Sequence, residues 1–369
     1  MYLTIKTAVK EKQLTFEDLL ANPFMLSNMV PSGKAKTVTV KITEEYGQEL
    51  YNKRNVVHSW IPGSPWTLPY EEIPQHYRQF TIPKKTDPRK RRTINAPSDV
   101  LKSIQTHYKC YIEDYLGVLV HKNAGAYVKK KSIVDSMESH QKNDSNWYLQ
   151  IDLKDFFPSI NEAFLRKQLA LVYPFKFIPE EMLEPIIKYS LLNDELPQGS
   201  CLSPTLTNVL MVPIDHEITE RLHNFNNHHF VYTRYADDIT ISCKEHFDYN
   251  QILDVILGVF EEFEAPFTIN TSKTRYGSRA GKNYHLGLIV NKDNKISIGH
   301  EKNNKFRAML YNFIQVGDTW EIKDVQRMLG LISYYKSVEP DFVNKTIRRY
   351  NEKYNVDILA KAKERINGR

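Results

Sequence analysis

Three carboxylates stand out in this 369-residue chain because of where the surrounding pattern puts them. Asp152 ends the short apolar run WYLQID (147–152), and Asp237 with Asp238 interrupts the alternating stretch HFVYTRYADDITISC (229–243). Taken singly, each is ordinary: paired aspartates suit hairpin turns, where their side chains satisfy backbone donors. The combination is harder to dismiss. An acid closing one strand and two acids at a hairpin tip further on converge when the strands lie side by side in one sheet. Carboxylate oxygens gathered in this way make a hard-cation site suited to Mg²⁺ together with substrate phosphates. Two such ions about 3.5–4 Å apart clamp the attacking and leaving oxygens of an in-line phosphoryl displacement.

The elements that must hold these acids are legible around them. WYLQID reads as a strand. In the following LKDFFPSINEAFLRKQLALV, Pro158 blocks further strand, and Ser159 with Glu162 predicts a capping box opening a helix. LPQGSCLSPTLTNVLMVPIDHEITERL (196–222) reads as a polar, Gly-containing turn running into a helix. Ala236-Asp237-Asp238 predicts the tip of a β-hairpin. Upstream, YRQFTIPKKTDPRKRRTINAP (77–97) predicts two strands about a basic turn centred on Asp87-Pro88. DVLKSIQTHYKCYIEDYL (99–116) predicts a helix, with Leu101, Ile104, Tyr108, Ile112 and Leu116 at helical spacing. Downstream come the amphipathic helix ILDVILGVFEEFEA, strands and turns in INTSKTRYG and KNYHLGLIVNKDNKISIG, and a helical, basic tail from about residue 301. Residues 1–75 mix both patterns and name no chemistry.

Composition narrows the class. A hydrophobic fraction of 41% and a charged fraction of 25% are those of a globular protein. No apolar run approaches the roughly 18 residues of a membrane span, and the amino terminus has no secretory pattern. Cys110, Cys201 and Cys243 form no CxxC, which argues against a zinc module and for a reducing, cytoplasmic setting. The net charge of +6 decides nothing by itself. Its distribution is uneven: residues 84–92, KKTDPRKRR, carry six cations against one acid, and Lys129, Lys130 and Lys131 are consecutive. Cations with 12% aromatics suit a nucleic acid, but on charge alone a solvated loop and an aromatic-rich core are the favoured account.

Tyr235-Ala236-Asp237-Asp238 after Arg234, Asp152 in LQIDLKDFFPSI, and LPQGSCLSP (196–204) resemble three motifs of reverse transcriptases, in the family's order and spacing. The lysine of TSKTRYG and the turn in YHLGLIVN resemble the next two. The resemblance runs from about 78 to 345 and is nearest to bacterial members: retron-type and phage-defence reverse transcriptases, and the polymerase part of group II intron proteins. It implies an α+β right-hand polymerase, with an amino-terminal extension (1–76), fingers (77–150), a palm (151–300) holding an inserted fingers segment (163–228), and a helical thumb (301–369). It implies that Asp152 and Asp237 hold two Mg²⁺ ions (Mn²⁺ being a substitute), helped by Asp238 and the Leu153 carbonyl. Phe157 falls where the family has an aromatic steric gate, which leaves no room for a ribose 2′-OH. Gln198 and Gly199 match the pair beside the incoming nucleotide, Gly permitting close backbone approach. Arg92, with Lys84 or Lys85, matches the cations that hold the triphosphate. Lys273 matches the lysine that protonates the leaving pyrophosphate.

The implied partners are an RNA template, a DNA or RNA primer and dNTPs, with a non-coding RNA and an effector protein as further candidates, and no membrane. Departures narrow the subfamily. Retron enzymes carry Asn-Ala-x-x-His before the first acid, and this chain has Ser136-Met137-Glu138-Ser139-His140. They carry Val-Thr-Gly near the thumb, where His285-Leu286-Gly287 stands here. No Cys/His endonuclease module or second carboxylate cluster for an RNase H domain is legible. The reading is therefore RNA-directed DNA synthesis on a dedicated non-coding RNA in anti-phage defence. Template-independent or protein-primed DNA synthesis is one alternative, and a catalytically silent nucleic-acid-binding scaffold is another. Intact Asp152, Asp237, Asp238, Phe157 and Gln198 argue against the scaffold.

Overall fold

At the amino terminus YLTIKT faces KTVTVK as an antiparallel pair, β1 (Tyr2–Thr7) and β2 (Lys36–Lys41), in which Ile5 opposes Val38 and both are buried. This comes from a computed structural model, which describes residues 1–7, 36–53, 67–84, 89–226, 228–280 and 286–368. β1 is not a loose extension. Tyr2 donates its N–H to Leu171 O at 2.7 Å and accepts from Tyr173 N–H at 2.9 Å. α1 (Glu44–Lys53) follows.

β3 (Tyr77–Pro83) and β4 (Arg91–Pro97) form the expected hairpin, paired from Tyr77↔Pro97 to Pro83↔Arg91. Its anticipated turn at Asp87-Pro88 lies outside the described residues. Ser98 caps α2 (Asp99–Cys110) by accepting from Leu101 N–H, and a π-helical turn over Tyr111–Tyr115 continues it. Leu101 and Ile104 pack with Leu68, Ile73 and Tyr189, so the stripe read from the sequence is the buried one. α3 (Ile133–Lys142) precedes β5 (Trp147–Lys154), whose alternate residues Leu149, Ile151 and Leu153 are buried.

Two expectations are corrected beyond β5. The cap of α4 (Glu162–Ala170) is Asn161, which accepts from Phe164 N–H; Ser159 instead turns back to donate to Phe156 O at 2.9 Å. The chain over 155–159 is wound into turns, with Asp155 at φ 47°, so the helix can begin only after Ile160. The helix expected up to residue 222 is two helices. After α5 (Glu180–Lys188), α6 (Ser203–Leu210) stops at Met211, and α7 (Val212–His223) restarts with Pro213 in its first turn, where a missing N–H costs nothing.

β6 (Val231–Tyr235) and β7 (Asp238–Cys243) make the predicted hairpin. α8 (Tyr249–Glu262), β8 (Thr268–Ile269), β9 (Arg275–Ser278), β10 (Ile289–Val290) and β11 (Ile296–Ser297) follow. The main sheet has the order β6-β7-β5-β8, with β9 also pairing with β5, and β10 and β11 form a separate two-stranded pair among the described residues. The order puts β5 beside β7, the arrangement the three acids require. The tail is helical as expected: α9 (His300–Val316), α10 (Ile322–Val338), α11 (Pro340–Tyr354) and α12 (Ile358–Asn367).

The chain divides into two compact units. One comprises Met1–Ser132, Leu149–Ile241 and Phe247–Arg275, and the other Ile133–Tyr148, Ser242–His246 and Tyr276–Arg369. The second has a core of Phe306, Phe313, Val325, Met328, Val343 and Ile358 from α9 to α12. His140, the retained histidine of the departed motif, is a core residue there. Its Nδ1 lies 2.6 Å from Ser242 Oγ, which in turn donates to Ser145 Oγ at 2.7 Å, tying α3 to the end of β7. Among the described residues no helix is long and apolar enough to cross a membrane.

Candidate active site

The site is assembled by backbone before any side chain acts. Leu153 N–H donates to Asp237 O at 3.0 Å, and Asn270 N–H donates to Asp152 O at 2.8 Å. β5 is thereby fastened to the hairpin tip on one side and to the end of β8 on the other, where Leu153 faces Ile269. At the tip Ala236 is left-handed, φ 58°, which turns the chain from β6 into β7.

The three carboxylates share one electrostatic field. Burial raises the Asp237 carboxyl, and Asp152 raises it further, against Arg92 and Lys273. Asp238 is pushed up to about 6, first by burial and then by Asp237 and Asp152. Asp152 keeps both oxygens engaged: Lys273 Nζ donates to Oδ1 at 2.6 Å and Asn270 Nδ2 to Oδ2 at 3.0 Å. Hard oxygen donors that repel one another fit a small divalent cation, whose charge would relieve that repulsion.

The other expected residues divide by position. Phe156 goes into the core against Phe267, centroids 5.1 Å apart, while Phe157 stays half-buried with its ring edge-on to Phe156 at 5.6 Å. Gln198 accepts from Asn95 N–H at 2.7 Å, so the 196–200 turn is docked on β4. Gly199 sits at φ +123°, and a Cβ there would stand 2.5 Å from Asn95 O; no other residue fits. Docking β4 on this turn brings Arg92 into the field of Asp237. The Lys84 N–H closes the hairpin on Lys90 O at 2.8 Å, with its side chain exposed. Lys85 lies outside the described residues, as does His285.

Sequence reasoning passed over two supports. Asn270 holds Asp152 through both its main chain and its side chain. Arg234, noted only as a neighbour of the motif, is fully buried and grips Asp215 bidentately, Nε to Oδ1 and Nη2 to Oδ2, both at 2.8 Å. Its Nη1 donates to Ala236 O at 3.2 Å, so it holds the left-handed residue just before Asp237. Tyr232 adds a 2.6 Å bond to Asp215. The signal was present: an arginine within an apolar strand needs a buried acid, and Asp215 sits in the apolar VPIDHEI.

A family model for the reverse transcriptase (RNA-dependent DNA polymerase) matches residues 82–308, more than half of the chain. The chain belongs to this family. Among curated relatives, the retron Ec73 reverse transcriptase of Escherichia coli is 31% identical over 279 residues, covering 73% of this chain and 87% of that protein. The retron Ec86 reverse transcriptase of Escherichia coli is 29% identical, with 78% and 85% covered, and the retron Ec83 enzyme 27%, with 75% and 88% covered. The resemblance to bacterial retron-type reverse transcriptases is thus borne out, and with it the right-hand polymerase class. The protein is an RNA-directed DNA polymerase.

Proposed function

We propose that this reverse transcriptase copies a dedicated non-coding RNA into DNA, with Asp152, Asp237 and the Leu153 carbonyl holding two Mg²⁺ ions and Asp238 supporting them. The observation that carries the reading is the main-chain bond from Leu153 N–H to Asp237 O, which sets β5 beside the β6–β7 tip, with Asp152, Asp237 and Asp238 in one another's electrostatic field. The metal ions would supply charge neutralisation and activation of the primer 3′-hydroxyl. The protein's own groups do the rest. Arg92, with Lys84 or Lys85 from the same hairpin, grips the triphosphate. Gln198 and Gly199 give the nucleotide a close backbone surface. Phe157 excludes a ribose 2′-OH by shape. Lys273, with its side chain 57% exposed while paired to Asp152, donates a proton to the departing pyrophosphate. Residues 77–150 and 163–228 serve as fingers, 151–162 and 229–300 as palm, and 301–369 as thumb. An RNA partner and a role in anti-phage defence belong to the same proposal.

The test is to purify the protein from its host and sequence the nucleic acid that accompanies it. A defined structured RNA paired with or joined to complementary DNA supports the reading. A homopolymer, or DNA attached to a tyrosine, replaces it with non-templated or protein-primed synthesis.

A further inference from the structure

Tyr127 is the most exposed large hydrophobic side chain among the described residues, at 55%. Its backbone is left-handed, φ 59°, a conformation strained for an aromatic residue, which persists only where the surroundings impose it. They do so here. The preceding Ala124, Gly125 and Ala126 are buried. Gly125 N–H donates to Arg234 O at 2.8 Å, Arg234 N–H donates to Asn123 O at 2.9 Å, and Asn208 Nδ2 donates to Ala126 O at 2.7 Å. The loop is therefore stitched to β6, the strand that ends at the catalytic tip, and to α6. The Tyr127 ring meets Phe157 edge to face, centroids 6.4 Å apart at 65°. Desolvation, and then the Asp237 and Tyr235 side chains, push its phenol up, while Arg92 opposes them, so it lies in the field of Asp237.

We propose that Tyr127 is a specificity-determining residue: its ring contacts the sugar of the incoming nucleotide and, with Phe157, forms the wall that selects deoxyribose. A solvent-facing aromatic in a strained backbone, on a loop fixed by three hydrogen bonds just before it and beside a second half-exposed ring and Asp237, has no core to fill. Its available partner is the substrate. The inference rests on the reading of Phe157 as the gate.

The experiment measures single-nucleotide extension of a primer on RNA, with dNTP and NTP, for wild type, Tyr127→Ala, Tyr127→Gly and Phe157→Ala, alongside each melting temperature. Tyr127→Ala should raise KM for dNTP about tenfold, leave kcat within about threefold and lower the preference for dNTP. Tyr127→Gly should show the same KM rise while melting no lower than wild type, because glycine relieves the left-handed strain. Unchanged KM and selectivity in Tyr127→Ala would overturn the proposal. So would a loss confined to kcat, or one that follows a fall in melting temperature in the glycine variant. Phe157→Ala separates the two readings. If it admits NTPs and the Tyr127 variants do not, only the inference falls; if it leaves NTPs excluded, the gate itself falls.

Discussion

At the scale of single residues, the site depends on groups that hold the carboxylates in place rather than on the carboxylates alone. Asp152 is bonded at both side-chain oxygens and at its carbonyl, and Asn270 supplies two of those three bonds. Asn270→Ala keeps the main-chain bond and releases one oxygen, so the Mg²⁺ concentration for half-maximal extension should rise about 10–100-fold with the fold intact. A Mg²⁺ titration checks this. Gly199 is constrained more sharply. At φ +123° and with Asn95 O in the space a Cβ would take, Gly199→Ala must displace β4 from the turn. A loss of about 2 kcal/mol or more in stability is expected, with a larger fall in activity, because Arg92 moves with β4. Denaturant unfolding and primer extension on the same sample measure both. The aspartates and Gly199 were singled out in the sequence because they stand in ordered motifs that resemble those of reverse transcriptases. Asn270 was not, since nothing in INTSKTRYG distinguishes an asparagine that meets a carboxylate more than a hundred residues earlier in the chain.

At the scale of elements, the β6–β7 hairpin carries two of the acids and is held from beneath by α7. Arg234 and Asp215 are both fully buried, so removing one partner strands a charge. Arg234→Met should cost about 3–5 kcal/mol, and Arg234→Met with Asp215→Leu should recover much of that stability without restoring extension, because the bond to Ala236 O stays lost. Melting temperatures of the single and double variants, set beside their activities, decide it. The strands and their order followed from alternation and from the acids' need to meet. The start of α4 did not: Ser159 and Glu162 satisfied the capping pattern, yet the turns at 155–159 left Asn161 as the residue whose side chain reaches a free N–H. The break at Met211 was equally hidden. Pro213 announces a possible first turn, but only the packing of α6 and α7 makes it a boundary.

At the scale of the molecule, stability should be limited on the acid side by His121. It is buried and its pKa is lowered to about 3, chiefly by desolvation, while its Nδ1 accepts from Asn123 N–H at 3.3 Å. The unfolded chain takes up this proton near pH 6.5 and the folded chain does not until about pH 3, so stability is lost as pH falls through that window. His121→Gln should flatten the pH dependence of the melting temperature below 6.5, as calorimetry across that range would record. Neither this histidine nor the buried His140 could be placed from sequence, because an isolated histidine gives no sign of its burial. The central claim is that Asp152 and Asp237 act together in RNA-templated DNA synthesis. Its most direct test is extension of oligo(dT) on poly(rA) with Mg²⁺ by the wild type, Asp152→Ala and Asp237→Ala. The account predicts dTTP incorporation by the wild type and a loss of at least about a thousandfold in each variant, with melting temperatures no lower than the wild type's. Incorporation that survives in either folded variant would contradict it.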